Sequence, residues 1–325
     1  MKTILLTGGA GFIGSHLAGA LLDTGIYRLI CIDNLDDFYS PRLKRDNLER
    51  LLLNPHFRFV EADMTTLSLP EWQNICHGEQ IGKIIHLAAK AGVRPSISDP
   101  AGYYRTNVIG MINLLEFARH AQVSQFIFSS SSSVYGDHPR VPWQESAEGL
   151  HPISPYAASK TAGEQIGAVY AHLHDIQFVA LRLFTVYGPR QRPDLAVHKF
   201  YNLMKLGQPI TLYGDGSTSR DYTFVGDIVN GIMAAIDFRS EERFNVFNIG
   251  SGRPVSLLDL VRALEDTMGK KADLRFTDEQ PGDVKQTWAD IARAGKFLHY
   301  KPQTTLTEGI EAFLQWKENA TTVEY

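Results

Sequence analysis

The chain has 325 residues, of which 44% are hydrophobic, and its formal charge at pH 7 is -4. This near-neutral balance argues against nucleic-acid and membrane-surface partners, and the length suffices for one large or two modest domains. Two cysteines are too few for a disulfide framework, and no apolar run approaches a membrane span. The first residues lead directly into a strand, without signal-peptide architecture. We therefore expect a reduced, cytoplasmic protein.

Short β-branched apolar runs alternate with helical patterns through the first half of the chain. The predicted strands are residues 4–6, 29–32, 57–60, 84–87, 126–128 and 178–183. Helical patterns between them include residues 13–22 and 108–118. This alternation is typical of βαβ units with right-handed crossovers. We predict an α/β fold, a Rossmann-type doubly wound parallel sheet of about seven strands, with a smaller C-terminal α/β domain.

The alternation weakens after Tyr187, where glycine and proline pairs mark loops. An apolar run at 246–249 is expected to add one more strand to the sheet, and a helical pattern follows it at 257–268. We therefore predict two domains. The nucleotide-binding domain spans residues 1–180, with 225–250 returning to its sheet, and the substrate domain spans 181–224 and 251–325.

A glycine fingerprint follows the first predicted strand. Gly9, Gly11 and Gly14 satisfy G-x-G-x-x-G, while Gly8 begins an alternative G-x-x-G-x-x-G spacing. Such glycines allow a tight turn and close backbone approach to a pyrophosphate, which the N-terminus of the next helix faces with free N–H groups. Asp33 ends the second strand, where a carboxylate accepts hydrogen bonds from ribose hydroxyls and repels a 2′-phosphate. The pattern predicts NAD rather than NADP.

Further cofactor contacts are expected around this turn and at the ends of later strands. Residues after the third and fourth strands suit the adenine edge and the middle of the dinucleotide, with strand-end packing as the alternative. The expected contacts are Phe12, Ile13, Asn34, Lys44, Asp63, Met64, Leu87, Ala88 and Ala89.

Five consecutive serines, Ser129 to Ser133, follow an apolar run that predicts a buried strand. Open α/β sheets bind ligands at the carboxyl ends of their strands, so these serines are expected to offer hydroxyl donors. Tyr156 and Lys160 lie one turn apart on a predicted helix. The Lys160 ammonium and an oxidised nicotinamide are expected to lower the pKa of Tyr156 from roughly 10. Ser131, Tyr156 and Lys160 are therefore the predicted catalytic set, and Lys160 is also expected to contact the nicotinamide ribose.

Together these motifs resemble the extended short-chain dehydrogenase/reductase superfamily, and within it the NAD-dependent nucleotide-sugar epimerases. The resemblance runs almost end to end, through segments 7–14, 86–89, 107–113, 129–136, 156–160, 187–189 and 220–227. It implies a Rossmann domain holding NAD, a smaller domain holding a UDP-sugar, and no metal. It also implies a homodimer packed through the helices near 108–118 and 156–170.

The residues that end the serine strand distinguish reactions within this superfamily. Sugar-nucleotide 4,6-dehydratases carry an Asp-Glu pair before Val-Tyr-Gly and UDP-glucuronate decarboxylases carry a Glu, whereas this chain has Ser132 and Ser133. Without a carboxylate at these positions, the chain lacks the acid–base group that would act at C5 or C6 of the sugar. Thr185 and the segments 33–44 and 192–196 resemble UDP-glucuronate 4-epimerases. The resemblance thus implies interconversion of UDP-glucuronate and UDP-galacturonate through a 4-keto intermediate.

Four hydroxyl side chains are expected to surround the C6 carboxylate of such a substrate without a salt bridge: Ser131, Ser132, Ser133 and Thr185. A 4-keto uronic acid is a β-keto acid, which loses CO2 most readily when the C5–C6 bond stands perpendicular to the carbonyl plane. We hypothesise that the hydroxyl ring holds the bond away from that alignment.

Charged side chains of the later segments are candidate anchors for the UDP group. Arg192 and Arg220 present guanidinium forks suited to a diphosphate, with a solvated loop charge as the alternative for Arg192. Asp283 resembles the acid that binds the uridine ribose. Arg94 is expected near the sugar or phosphates, with a structural salt bridge as the alternative.

Three other functions remain open at this stage. A UDP-glucose/UDP-galactose 4-epimerase would share the whole catalytic set. A non-catalytic NAD-binding short-chain protein is opposed by the completeness of that set, and an NADP-dependent reductase is opposed by Asp33.

Overall fold

A seven-stranded parallel sheet forms the centre of the molecule in the computed structural model, which describes residues 1–278 and 284–319. In chain order the strands are β1 (Lys2–Thr7), β2 (Tyr27–Asp33), β3 (Phe57–Glu61), β4 (Ile81–His86), β5 (Gln125–Ser131), β6 (Gln177–Leu183), β7 (Thr185–Tyr187), β8 (Ile210–Tyr213), β9 (Ser219–Phe224), β10 (Phe244–Ile249), β11 (Pro254–Ser256) and β12 (Leu274–Thr277). The large sheet has the order β10-β6-β5-β4-β1-β2-β3. The chain reverses direction across the sheet between β1 and β4, and in doubly wound folds ligands bind at this switch point.

Helices cover both faces of the sheet, which explains why every residue of β6 is buried. The helices are α1 (Phe12–Asp23), α2 (Pro41–Leu52), α3 (Leu69–Cys76), α4 (Val93–Ser98), α5 (Pro100–Tyr104), α6 (Gly110–His120), α7 (Pro155–Leu173), α8 (Ala196–Lys205), α9 (Val225–Asp237), α10 (Leu257–Met268), α11 (Ala292–Leu298) and α12 (Leu306–Asn319). One face packs against α1 and α9 through residues such as Leu17 and Ile228. The other packs against α3, α6 and α7, with Leu114 in its centre. In the described part of the chain, none of the helices is long and apolar enough to span a membrane.

The remaining strands form two small sheets beside the carboxyl ends of the large one. Their orders are β11-β9-β7 and β12-β8. A separate apolar core, with Phe200, Leu260 and Phe313 among its members, joins α8, α10 and α12 to these strands. The smaller unit therefore has its own packed interior and faces the switch point of the large sheet.

The predicted fold class is confirmed, and so is the return of the chain to the large sheet at β10. One predicted helix starts late, because residues 105–109 form a π-helical turn and α6 begins only at Gly110. Within that turn the Asn107 side chain hydrogen-bonds both the N–H and the C=O of Lys90. Because β6 continues to Leu183, we propose the domain boundary between β6 and β7 rather than at residue 180.

Candidate active site

A cleft of about 510 Å³ runs along the carboxyl ends of β1, β2, β4 and β5 and is bordered on its other side by β7 and β9. Its volume is that of a cofactor or small-molecule site. The predicted residues that line it are Gly8, Gly11, Phe12, Ile13, Gly14, Asp33, Asn34, Lys44, Asp63, Met64, Leu87, Ala88, Ala89, Ser131, Ser132, Ser133, Tyr156, Thr185, Arg192 and Arg220. Lys160 and Arg94 are not among the lining residues, and Asp283 lies outside the described residues.

The glycine-rich turn between β1 and α1 leaves no room for side chains. Gly8 has φ of 76°, and a Cβ on it would lie 2.5 Å from the Ala88 nitrogen. A Cβ on Gly14 would lie 2.1 Å from the Gly8 carbonyl oxygen. Gly11 caps α1 without a side-chain hydrogen bond, so the helix presents its free N–H groups to the cleft. This cradle fits the pyrophosphate of a dinucleotide.

Asp33 ends β2 at the rim of the same cleft. Its Oδ1 accepts a hydrogen bond from the Leu35 N–H at 2.9 Å, and its Oδ2 accepts one from the Ala10 N–H at 3.1 Å. Burial raises the pKa of Asp33, while these hydrogen bonds and the Lys44 ammonium oppose the rise. The carboxylate is thus fixed beside the glycine turn, as an acid that binds ribose hydroxyls must be.

Replacing Asp33 with serine is expected to raise the preference for NADP over NAD about 10- to 100-fold, because the hydroxyl neither repels a 2′-phosphate nor accepts two charged hydrogen bonds. Dissociation constants of both nucleotides, measured by calorimetry, test this. Asp46→Ser on the exposed side of α2 is the control and should leave the ratio unchanged. An unchanged ratio in the Asp33 variant would remove this residue from cofactor selection.

Tyr156 stands in the first turn of α7, which starts at an N-cap, Ser154, that accepts the Ala157 N–H at 3.1 Å. Its phenol lies near enough to the Ser131 side chain, at the end of β5, for Ser131 to lower the pKa of the phenol. The Tyr103 ring packs edge-to-face on the Tyr156 ring, with centroids 6.2 Å apart. The structure therefore brings two of the three predicted catalytic groups, Ser131 and Tyr156, to the same cleft.

The pKa of Tyr156 is set here by burial and by groups other than Lys160. Burial raises the pKa of Tyr156, and the groups that oppose the rise are Ser131 and Arg192. Lys160 is only 3% exposed, its Nζ donates to the Ser129 carbonyl at 2.7 Å, and it lies 5.9 Å from the Tyr156 ring centroid. The prediction concerned a site that also holds oxidised nicotinamide, so the lowering of the Tyr156 pKa by Lys160 and NAD stays a prediction.

The serines of the run 129–133 do not all face the cleft. Ser131, Ser132 and Ser133 line the cleft together with Thr185, whereas Ser130 does not. The run leaves the β-strand at Ser132 and enters a 3₁₀ turn, in which the Ser133 hydroxyl donates to the Ser131 Oγ at 2.9 Å. Four hydroxyl-bearing residues, from the end of β5, the 3₁₀ turn and β7, thus line the cleft that Tyr156 also lines.

The predicted arginine anchors differ in their surroundings. The Arg192 guanidinium binds Asp194 through two hydrogen bonds, of 2.9 and 2.7 Å, and lies 5.1 Å from the Phe38 ring centroid. Arg220 lines the cleft and donates to the Ser219 carbonyl at 2.9 Å. The Arg94 guanidinium lies 5.1 Å from the ring centroid of Tyr213.

The cleft is also lined by aromatic residues that are not among the predicted site residues. They include Phe38, Tyr39 and Trp143. In the sequence, Phe38 and Tyr39 belong to a segment that resembles UDP-glucuronate 4-epimerases, and no pattern of residues indicates Trp143. Across residues 1–278 and 284–319 no three His, Cys, Asp or Glu side chains come together in a way that would hold a metal ion.

The sheet order, glycine cradle, Asp33 and the Ser131–Tyr156 pair define an NAD-dependent enzyme of the Rossmann type. The sequence profile of the NAD dependent epimerase/dehydratase family matches residues 4–250. The chain belongs to this family, and it is an isomerase.

Individual relatives cover almost the whole chain. It is 36% identical to the UDP-glucuronate 4-epimerase of Thermodesulfobacterium geofontis, over 98% of this chain and 97% of the relative. The crystal structure of UDP-glucuronic acid 4-epimerase from Bacillus cereus, in complex with UDP-glucuronic acid and NAD, is 39% identical, with a TM-score of 0.89 over 98% of this chain and 99% of that one. UDP-glucose 4-epimerase from Thermotoga maritima, with UDP-glucose, is 32% identical and has a TM-score of 0.89 over 99% of this chain and 100% of that one.

Proposed function

We propose that the protein is an NAD-dependent UDP-glucuronate 4-epimerase, which interconverts UDP-glucuronate and UDP-galacturonate through a 4-keto intermediate. The observation that carries this proposal is the ring of neutral hydroxyls beside Tyr156: Ser131, Ser132, Ser133 and Thr185. Hydroxyl donors suit a carboxylate at C6 of the sugar, and none of the four can act as the acid or base that dehydration or decarboxylation requires.

The residues around Tyr156 support acid–base chemistry at C4 of the sugar. The Tyr156 phenol takes the proton of the C4 hydroxyl and returns it later, and Ser131 donates a hydrogen bond to the same oxygen. When bound, NAD supplies hydride acceptance and hydride return at C4. Because burial raises the pKa of Tyr156, charge from the bound ligands and from Arg192 has to favour its ionised form.

A single tyrosine serves both epimers only if the sugar ring turns over between the two hydride transfers. Tyr156 is fixed by the first turn of α7, so it cannot move to the other face of the sugar. We therefore propose that the UDP group is held firmly, with Arg220 as one of its anchors, while the hydroxyl ring offers donors on several sides of the sugar.

Product analysis tests the proposed substrate. The purified protein is incubated with UDP-glucuronate and, separately, with UDP-glucose, and the products are resolved by chromatography. We expect UDP-galacturonate from the first, and slower or no conversion of the second. Preferential formation of UDP-galactose would contradict the proposal and establish the neutral-sugar alternative.

Thr185→Val is expected to lower kcat/KM for UDP-glucuronate by about 10-fold or more, because a donor to the charged carboxylate is lost while the side-chain shape is kept. Conversion of UDP-glucose, where measurable, should change little. Thr211→Val on the exposed side of β8 is the matched control. Equal losses for both sugars would argue that Thr185 does not contact C6.

A second candidate is a UDP-glucose/UDP-galactose 4-epimerase. It is favoured by the strictly neutral lining of the ring, since hydroxyls also accept a C6 hydroxymethyl group, and by the similarity to the Thermotoga maritima protein. Thr185 favours UDP-glucuronate over UDP-glucose as the substrate, because Thr185 is a residue in which this chain resembles UDP-glucuronate 4-epimerases.

The hydroxyl-ring hypothesis for suppressed decarboxylation is tested by the same chromatography. Ser133→Ala removes a hydroxyl that is hydrogen-bonded to Ser131, and it is expected to release a UDP-pentose as a minor product. A UDP-pentose formed by the unmodified protein at a rate comparable to UDP-galacturonate would refute the hypothesis.

We also propose a homodimer packed through α6 and α7. Apolar side chains on and beside these helices are exposed, with Ile109 at 50% and Val169 at 52%. Light scattering after size exclusion should give twice the chain mass, and Val169→Glu should shift the population to monomer. A monomeric parent protein would refute the dimer.

A further inference from the structure

The catalytic helix carries a third charged side chain in line with Tyr156 and Lys160. Glu164 follows Lys160 by four residues, so all three lie on one face of α7. The Glu164 side chain is 3% exposed and faces the end of the sheet rather than the solvent. A carboxylate buried to this degree must be paired and hydrogen-bonded to remain charged.

Two strand residues hold this carboxylate. The Ser130 hydroxyl donates to Glu164 Oε1 at 2.5 Å. Arg182 donates from Nε to Oε1 at 2.9 Å and from Nη2 to Oε2 at 2.8 Å. Ser130 and Arg182 are register partners on β5 and β6, so neighbouring strands present both donors to one side chain. The serine turned away from the cleft thus has a defined partner.

Lys160 is the nearby cation that this carboxylate influences. Its ammonium donates to the Ser129 carbonyl, and the Phe128 ring centroid lies 4.9 Å from Nζ. Burial lowers the pKa of Lys160 to about 7, and Glu164 is the group that opposes this effect. The other titratable groups around Lys160 are Tyr156 on its own helix and His86 at the end of β4, with Tyr103 on α5 packed on Tyr156 and Arg182 on β6 bound to Glu164.

We propose that Glu164 is a positioning residue of this active site, whose carboxylate, held by Ser130 and Arg182, keeps a protonated Lys160 in place behind Tyr156. This inference rests on the proposed function of Tyr156 and Lys160. Lys160, Glu164 and Arg182 together carry one net positive charge. The pair Glu164–Arg182 therefore sets the balance of charge next to Lys160 in addition to joining α7 to the sheet.

Removing either member of the pair has opposite consequences for Lys160. Glu164→Gln leaves two buried cations, so Lys160 loses its proton at lower pH. Arg182→Met leaves Lys160 as the one cation of the three groups beside the Glu164 carboxylate, so Lys160 keeps its proton to higher pH. The double variant restores one net positive charge and is expected to behave like the parent. A pair that only joined helix and sheet would destabilise the fold in all three variants without opposite shifts.

The primary measurement is the titration midpoint of the Lys160 amine, followed by ¹⁵N NMR in lysine-labelled protein that retains NAD, with the signal assigned by Lys160→Met. We expect the midpoint to fall by about one pH unit in Glu164→Gln and to rise by a similar amount in Arg182→Met. The kcat/KM profile of the substrate that the parent turns over should shift in the same directions. Thermal melting and NAD retention on gel filtration check the fold.

The matched control is the exposed ion pair Asp175–Arg243, which joins the loop after α7 to the residue before β10. Its side chains are 86% and 51% exposed, so Asp175→Asn and Arg243→Met should leave the midpoint unchanged. Shifts of Glu164→Gln and Arg182→Met in the same direction, or no shift, overturn the proposal. If Glu164→Gln does not fold, the other two variants test the proposal. The Lys160 titration midpoint should then rise in Arg182→Met and return to the parent value in the double variant. Because the NMR titration needs no turnover, a failed substrate proposal would not obscure its outcome.

Discussion

Tyr156→Phe is expected to reduce turnover of the proposed substrate, UDP-glucuronate, by roughly 10²- to 10⁴-fold, the usual contribution of a general acid–base group. The phenol is the group that lines the cleft near Ser131, and phenylalanine keeps the ring that packs on Tyr103. NAD should therefore remain bound, as judged by the absorbance ratio after gel filtration, while product formation over hours falls below a hundredth of the parent rate.

Tyr170→Phe is the control for this substitution. Tyr170 lies on the same helix, and its hydroxyl donates to Glu116 Oε1 at 2.5 Å, away from the cleft. This variant loses one hydrogen bond, worth about 1 kcal/mol, and should keep full turnover. If Tyr156→Phe kept more than a tenth of the parent activity, another group would have to move the proton.

Gly14→Ala is the second substitution with a large expected effect. The added methyl group would lie 2.1 Å from the Gly8 carbonyl oxygen and 2.7 Å from the Gly9 Cα, so α1 must move away from the turn. Overpacking of this kind typically costs about 1–3 kcal/mol. The shift also opens the cradle that faces the pyrophosphate. We therefore expect both a lower melting temperature and protein that loses NAD on gel filtration.

Gly19→Ala provides a control within the same helix. The nearest atom to its Cβ would be a Leu51 methyl group at 4.0 Å, which is an ordinary contact. Because alanine is the better helix former, this variant should gain up to about 1 kcal/mol in stability and retain NAD. Equal behaviour of the two variants would show that the close contact at Gly14 is relieved without consequence.

The hydrogen bonds of Asp221 connect the sheet of the smaller unit to the loop after β10. The side chain is fully buried and accepts hydrogen bonds from the N–H groups of Ser251, Gly252 and Ala289. Arg220, the predicted diphosphate anchor, is its neighbour on β9. Asp221 thus fixes the strand that presents Arg220 to the cleft. In the sequence, Asp221 stands out only as part of the segment 220–227, which resembles the family.

Local rules made the fold and half of the site predictable. Apolar runs of strand length, alternating with helical patterns, specify parallel βαβ units because each sheet face has to be covered. The spacing of Gly8, Gly11 and Gly14 demanded a tight turn, and its position after a strand located the cofactor cradle. Asp33 and the serine run were predictable for the same reason, since the carboxyl ends of parallel strands meet at one edge.

The sequence by itself therefore determined the cofactor half of this protein: the sheet, the glycine turn, Asp33 and the place of Ser131 and Tyr156 at the cleft. The catalytic roles of Ser131, Tyr156 and Lys160 stay predictions. Only the tertiary structure decided that Ser130 faces Glu164 while Ser131 faces the cleft, that Lys160 donates to Ser129, and that burial raises the pKa of Tyr156. The tertiary structure also decided that Arg192 binds Asp194 and that the Phe38 ring lies beside the Arg192 guanidinium. Strand and turn patterns follow from neighbours in the chain, whereas charge, burial and contacts between distant loops depend on how the whole chain packs.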